Sequence, residues 1–302
     1  MINLINGDCL ISPIFYMGNK RKLIKKGLID LFPENINTFY DLFGGSGVVS
    51  LNTSANQYVL NDLDLNVYNF YKLFNKKDDR EIIGKILNNL DDFDLLRIGI
   101  KQGTEKAEKY KQHYYELRKK ANISNSVIDL YTCMFYAFSQ QMRFNQKGKF
   151  NMPFGNGAFT EKNEEYIKIG CDFFSQKNLM LYNKNYLDFD ITDANDFVYL
   201  DPPYFNTIAT YNESSGWNDK NENDLYDFIL RLNNKGIKFG MSNTLFSKGV
   251  KNKRLYDFCI DNDFLIYHFE NFNYQSCGKI NKVDEVYICN YKLNKNYQPE
   301  LF

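Results

Sequence analysis

The sequence has no excess of charge of either sign. Its 37 Lys and Arg residues are balanced by 37 Asp and Glu residues in a chain of 302. A blanket polycation is therefore excluded, and a polyanionic partner must be met by local patches. Arginine is scarce: the seven are Arg21, Arg80, Arg97, Arg118, Arg143, Arg231 and Arg254, and each is a candidate reader of a base or a phosphate. The only histidines are His113 and His268, and the six cysteines form no C-x-x-C pair. A zinc centre needs clustered thiolates or imidazoles, so no metal is expected. Isolated thiols fit a reducing cytosol, which makes a cytoplasmic location the expectation. No apolar run approaches the ~18 residues of a membrane span. The opening MINLINGDCLISPIF lacks the basic flank of a secretory signal. No membrane partner is expected.

What remains is an ordinary globular composition, 44% hydrophobic and 25% charged, but with 17% aromatics. Those rings call for a bulky core or a stacking surface. The length allows one large domain or two modest ones. Residues 37–43 (NTFYDLF) read as a short buried strand running into Gly44-Gly45-Ser46-Gly47 and a helix through Val48, Val49 and Leu51. Tyr58–Leu60 reads as a second strand, followed by a helix carrying Val67, Phe70, Tyr71 and Phe74 on one face. From about 76 to 170 the pattern is helical, over 80–90, 105–120 and 125–142. It then passes into a Gly- and Asn-rich stretch, 143–158, with no convincing strands. After 178 alternation resumes: a strand at 196–200, a helix at 221–235 closed by Gly236, strands at 237–241, 263–269 and 284–291, and a helix at 251–261. Such alternation predicts an α/β sheet covered on both faces, interrupted by a helical insert.

Two constellations carry chemistry. In the first, Asp41-Leu-Phe-Gly-Gly-Ser-Gly47 lies where a strand becomes a helix, so glycines let a ligand approach free backbone N–H groups. Asp62 ends the next strand, placed to accept hydrogen bonds from ribose hydroxyls. The spacing is not G-x-G-x-x-G, because position 50 is Ser, which disfavours a nicotinamide dehydrogenase. The pattern from Phe43 to Gly47, F-x-G-x-G, is instead of the type seen in S-adenosylmethionine sites. A plain strand-to-helix turn, with Asp62 as a helix cap, is the bland alternative.

In the second, Asp201-Pro202-Pro203-Tyr204 follows the apolar strand Phe197–Leu200. Successive prolines end strand pairing and leave carbonyls without local donors. The Asp201 carboxylate and the Pro202 carbonyl then form an acceptor pair for an exocyclic amine, and Tyr204 offers a face to a planar base. Adenine N6 is a poor nucleophile because its lone pair is delocalised into the ring. Two fixed acceptors favour a tetrahedral nitrogen and meet the charge that develops on it. A base inside a duplex must leave the stack to reach them.

Together these residues resemble the Dam-type DNA adenine-N6 methyltransferases, the D12 class in its α arrangement, and most closely the compact phage-type members. The resemblance takes in Tyr16-Met-Gly-Asn-Lys20, DLFGGSG at 41–47, Asn61-Asp62, Arg143-Phe-Asn145, Phe150-Asn-Met-Pro-Phe-Gly155, DPPY at 201–204, Ser242-Asn243 and Lys282-Val-Asp-Glu-Val286. It implies a Rossmann-like methyltransferase sheet made by residues 1–75 and 172–302, with a mainly helical DNA-recognition insert at 76–171. The cofactor implied is S-adenosylmethionine, held by Tyr16, Lys20 (near its carboxylate), Asp41, Phe43, Gly45, Asp62 and Asp201. Asp201, Pro202 and Tyr204 are the implied catalytic set, and Tyr186 aligns loosely with the adenine pocket.

The insert is the implied reader of double-stranded DNA, through Arg143, Asn145, Lys147 and Pro153, with Lys149 alongside and Phe144 and Phe150 interleaved. Arg reads guanine and Asn reads adenine bidentately, each for ~1–3 kcal/mol of discrimination. An alternative for Arg143 is a phosphate contact or a helix cap. Lys248, Lys251, Lys253 and Arg254 form a second possible backbone-contact patch or a solvated surface. After Pro-Phe-Gly155, Asn156-Gly157 replace the basic residue that reads the outer guanine of GATC in close relatives, so GATC is expected only as a first guess. No cysteine follows a proline, which excludes cytosine-C5 chemistry. N4-cytosine methylation and a non-catalytic DNA-binding relative are the rival readings. A cognate restriction endonuclease is a possible partner, and a monomer or weak dimer the expected state.

Overall fold

The computed structural model describes residues 9–101, 103–204, 217–247, 249–269, 273–276 and 279–293, the backbone alone at 273–276 and 279–282. Strand β1 (Ile36–Asp41) leads through the glycine turn into helix α2 (Val48–Asn52), after a short α1 (Arg21–Lys25). β2 (Ala55–Asn61) and α3 (Leu65–Lys76) follow, then four more helices: α4 (Asp79–Asp92), α5 (Glu105–Ser124), α6 (Val127–Tyr136) and α7 (Glu161–Phe174). The chain returns to the sheet with β3 (Leu179–Tyr182) and β4 (Phe197–Leu200). It continues with α8 (Asp219–Asn234), β5 (Lys238–Ser247), β6 (Val250–Lys251), α9 (Lys253–Asp261), β7 (Leu265–His268), the hairpin β8 (Asn273–Ser276) and β9 (Lys279–Lys282), and β10 (Asp284–Cys289).

The sheet order is β3-β2-β1-β4-β5-β10-β7, with β6 appended to β5. β1 pairs in parallel with β2 and β4, and β4 with β5, whereas β10 is antiparallel to both β5 and β7. Every residue of β4 is buried, as both-face coverage demands. The parallel register sets the C-terminal ends of β1, β2 and β4 side by side, and Asp41, Asp62 and Asp201 sit at those ends. That is where open α/β sheets hold ligands.

The insert is not a separate ball. Tyr131, Phe135 and Phe159 belong to the same apolar cluster as Phe39 and Leu60 of the sheet and Phe70, Phe74 and Phe174 of α3 and α7. Tyr131 packs edge-on to Phe74 and tilted on Phe70, which ties α6 to α3. The aromatic surplus thus goes largely into packing, each T-shaped or offset pair contributing about 0.5–1.5 kcal/mol beyond area burial.

Several local expectations need correcting. The helix expected over 125–142 ends at Tyr136, because Ala137 turns extended and Ser139 and Gln140 take left-handed backbone (φ 53° and 51°). The segment expected to be strandless contains antiparallel bridges, Phe144 to Phe150 and Ala137 to Phe154, closed by a turn at Gly148 (φ 69°). The hairpin is too short to show an alternating pattern. Gly236 does close α8, at φ 70°.

Candidate cofactor turn and catalytic corner

The turn after β1 is built by close approach. A Cβ on Gly44 would lie 2.4 Å from Leu60 Cδ1 and 2.7 Å from the Tyr71 hydroxyl. At Gly45 (φ +52°) it would lie 2.8 Å from Tyr16 Cδ1. Only glycine fits either place, so the Tyr16 ring rests on bare backbone. The Tyr71 hydroxyl donates to the Gly45 carbonyl at 2.8 Å, fixing the turn from α3. Asn61 knits the strand ends: its Nδ2 donates to the carbonyls of Leu42 and Lys184, and its Oδ1 accepts from the Lys184 N–H.

Asp62 accepts the Gly45 N–H on Oδ2 and the Asp64 N–H on Oδ1, both at 2.8 Å. Burial pushes its carboxyl up to about 6, against the pull of those two backbone N–H groups. Asp41 is 1% exposed. Its Oδ2 accepts from Ser50 Oγ at 2.8 Å, while Oδ1 is buried with no partner. Burial pushes that carboxyl up to about 7; Ser50 opposes the rise, and the Asp201 and Asp62 charges add to it.

The candidate catalytic corner lies on the same edge. Lys20 is buried, not a solvated member of the Lys20-Arg21-Lys22 cluster. Its Nζ pairs with Asp201 Oδ2 at 2.7 Å, donates to the Gly18 carbonyl at 2.9 Å and sits 5.0 Å from the centre of the Tyr204 ring. Burial raises the Asp201 carboxyl, and the Lys20 ammonium pulls it back down. The Tyr204 hydroxyl donates to Glu285 Oε2 at 3.3 Å. Glu285, buried on β10, escaped sequence reasoning, although Lys282-Val-Asp-Glu-Val286 was part of the resemblance. Beneath the corner, the Tyr199 hydroxyl and Ser242 Oγ lie 2.7 Å apart, joining β4 to β5. Phe43 meets Tyr186 at 4.9 Å and Trp217 at 6.2 Å, an aromatic wall beside the turn. Trp217 is held by Nε1–H donation to Glu222, which also accepts from Tyr226.

The expected DNA-reading residues form a separate group on the insert's hairpin. Arg143 is exposed, its Nε donating to Asn151 Oδ1 at 3.0 Å, and Lys147 and Pro153 are exposed too. Asn145 serves the fold: its Oδ1 accepts the N–H groups of Lys147 and Lys149, both at 3.0 Å, and so holds the turn. Lys149 donates to the Asn122 carbonyl. In the second basic patch, Lys253 pairs with Asp257 and Arg254 with Asp219, so those cations already have acidic partners; Lys248 lies outside the described residues. Among the described residues no group of three or more His, Cys, Asp or Glu side chains is arranged to hold a metal. No helix among them is long and apolar enough to cross a membrane.

Sheet order, glycine turn and DPPY corner together define a Rossmann-like methyltransferase. Comparison with known proteins makes the assignment narrower. Residues 16–283 match the D12 class N6 adenine-specific DNA methyltransferases, and the chain belongs to that family. It is 31% identical to modification methylase StsI of Streptococcus sanguinis over 296 residues, 93% of this chain and 43% of that protein. It is 24% identical to type II methyltransferase M1.LlaDCHI of Lactococcus lactis subsp. cremoris over 296 residues, 91% of this chain and 94% of the relative. With the DNA adenine methylase of Haemophilus influenzae it shares 26% over 191 residues, 57% of each chain. The chain thus spans less than half the length of the StsI methylase.

Proposed function

We propose that this chain is an S-adenosylmethionine-dependent methyltransferase acting on N6 of an adenine flipped out of double-stranded DNA. The observation that carries the reading is the partly buried Asp201 at the sheet edge, paired with Lys20 and following the glycine turn and the insert in chain order.

The residues fit the cofactor. The unpartnered, buried Oδ1 of Asp41 beside the glycine turn is an acceptor suited to an ammonium group. Asp62 retains lone pairs for ribose hydroxyls, and Tyr16 and Phe43 flank the turn. When bound, the cofactor supplies an electrophilic methyl on a sulfonium.

The chain's own residues do the rest. Asp201 and the Pro202 carbonyl accept the two N–H bonds of the amine and favour a nitrogen with its lone pair directed away from the ring. Lys20 opposes the upward push of burial on the Asp201 carboxyl and so favours its ionised, accepting form. Tyr204, its hydroxyl held by Glu285, presents a ring for the extruded base to stack on. The Asp201 carboxylate is also the nearest base for the proton the amine must shed.

Arg143 and Lys147 on the exposed hairpin support base and phosphate contact, with GATC the first target to try. The division into a sheet domain (1–75, 172–302) and a recognition insert (76–171), a cytoplasmic location, a monomer or weak dimer, and service beside a restriction endonuclease belong to the same reading. The test is transfer of labelled methyl to duplex DNA. Wild type should label it, and Asp201→Ala should abolish labelling while keeping DNA affinity within a few-fold. Near-normal turnover by that variant refutes the assignment.

A further inference from the structure

A cleft of about 420 Å³ opens beside the glycine turn, between the N-terminal segment, the start of α2 and the insert helices α6 and α7. Tyr16 and Ser46 line it on the turn side, Asn163 and Tyr166 on the α7 side, and Gln140 on the strained connection between them. Among the described lining residues Arg21 is the only charged side chain, so no acid neutralises it there. Its Nε is buried and meets no acceptor. Ser46, 4% exposed, likewise has an Oγ with no partner. An unsatisfied buried donor costs about 1–3 kcal/mol, so two such donors on residues lining one cleft ask for an acceptor from outside the chain.

We propose that Arg21 and Ser46 form an oxyanion subsite in this cleft, and that its occupant is the carboxylate of the cofactor's amino-acid half. The proposal rests on reading the adjoining turn as the cofactor site. Lys20, the cation the resemblance placed near that carboxylate, is bonded to Asp201 and to the Gly18 carbonyl, and its charge is already met. Arg21, one residue on, makes no such ion pair among the described residues, and its Nε meets no acceptor there. Ser46 belongs to the glycine turn itself, and Tyr16 both rests on Gly45 and walls the cleft, so the two spaces adjoin. A planar guanidinium and a hydroxyl lining the same cleft are a fitting donor set for a carboxylate. The same chemistry would also take a phosphate of the DNA backbone, and the experiment separates the two.

Calorimetry would compare S-adenosylmethionine with its decarboxylated form, S-adenosyl-methylthiopropylamine, on the wild-type chain, Arg21→Gln and Ser46→Ala. The wild type should prefer the carboxylated compound by about ten- to a hundredfold, the range of one charge-assisted contact. Arg21→Gln should erase that preference while leaving affinity for the decarboxylated compound unchanged. Ser46→Ala should reduce the preference without lowering the melting temperature, since its Oγ holds nothing in the fold. It keeps the test open if the arginine variant misfolds. Equal weakening of both compounds, or an untouched preference together with untouched DNA binding, overturns the subsite. An untouched preference with a DNA salt slope shallower by about 0.9 keeps the subsite and assigns it to phosphate. Should the wild type bind neither compound, the cofactor reading fails, and the subsite is judged by the DNA slope alone.

Discussion

Lys20 Nζ lies 2.7 Å from Asp201 Oδ2, joining residues 181 positions apart into one largely buried ion pair. Burial alone pushes the carboxyl up and favours its protonated form, which the proposed chemistry cannot use. Removing Lys20 should therefore move the acidic limb of the rate profile. Activity rises as Asp201 loses its proton; without the ammonium that loss comes at higher pH. Lys20→Met should show this displacement to higher pH and a kcat lower by about a hundredfold or more at neutral pH, the scale of losing one preorganised charge. Transfer rates measured across pH for both proteins check it, and coincident limbs argue that Lys20 does not act through Asp201.

Asp41 links the proposed cofactor turn to stability. Its carboxyl titrates near ~4 in an unfolded chain and is pushed up to about 7 in the fold. The folded state therefore holds its proton more tightly, and the stabilisation present at low pH is lost as pH rises from about 4 through 7. Asp41→Asn removes that dependence. Its melting temperature should exceed that of the wild type by a margin that grows across this window, while S-adenosylmethionine affinity falls. A margin independent of pH contradicts the burial argument.

Gly45→Ala adds a methyl group 2.8 Å from the Tyr16 ring at a left-handed backbone position. The expected cost in stability is about 1–2 kcal/mol. Cofactor affinity should suffer more, because the ring and the turn both shift. Paired denaturation and calorimetry separate the two; unchanged affinity would remove this turn from the cofactor site.

On the hairpin, three substitutions should behave differently. Lys147→Ala should weaken binding to all duplexes alike and make the salt slope shallower by about 0.9. Arg143→Ala should relax the preferred sequence, by about 1–3 kcal/mol at one position if the contact is to a base. Asn145→Ala should loosen the turn itself, lowering DNA affinity without a change in preference, because its Oδ1 is engaged by two backbone N–H groups. Binding across a panel of duplexes at several salt concentrations distinguishes them.

Much of the frame was legible because the strongest signals are backbone-determined. Gly45 and Pro202 restrict conformation wherever they stand, and the apolar run at 197–200 has one plausible use beside a buried sheet. The sheet edge and the order of its motifs follow from such features. Partnerships were not legible. Nothing local marks Lys20 as buried while Lys22 is exposed, and nothing local brings Glu285 to Tyr204, which depends on the antiparallel return of β10. The left-handed pair Ser139-Gln140, which ended α6 early, lies in a stretch whose apolar spacing still reads as helix. Nor does residue type announce that Asn145, expected at the DNA, has an Oδ1 that clamps the hairpin turn.

At the centre stands the placing of a methyl group on adenine N6. The most direct measurement is mass spectrometry of nucleosides from duplex DNA incubated with the purified chain and S-adenosylmethionine. N6-methyldeoxyadenosine is expected with wild type and none with Asp201→Ala. Methyl groups found instead on cytosine N4, or on no base at all, would contradict it.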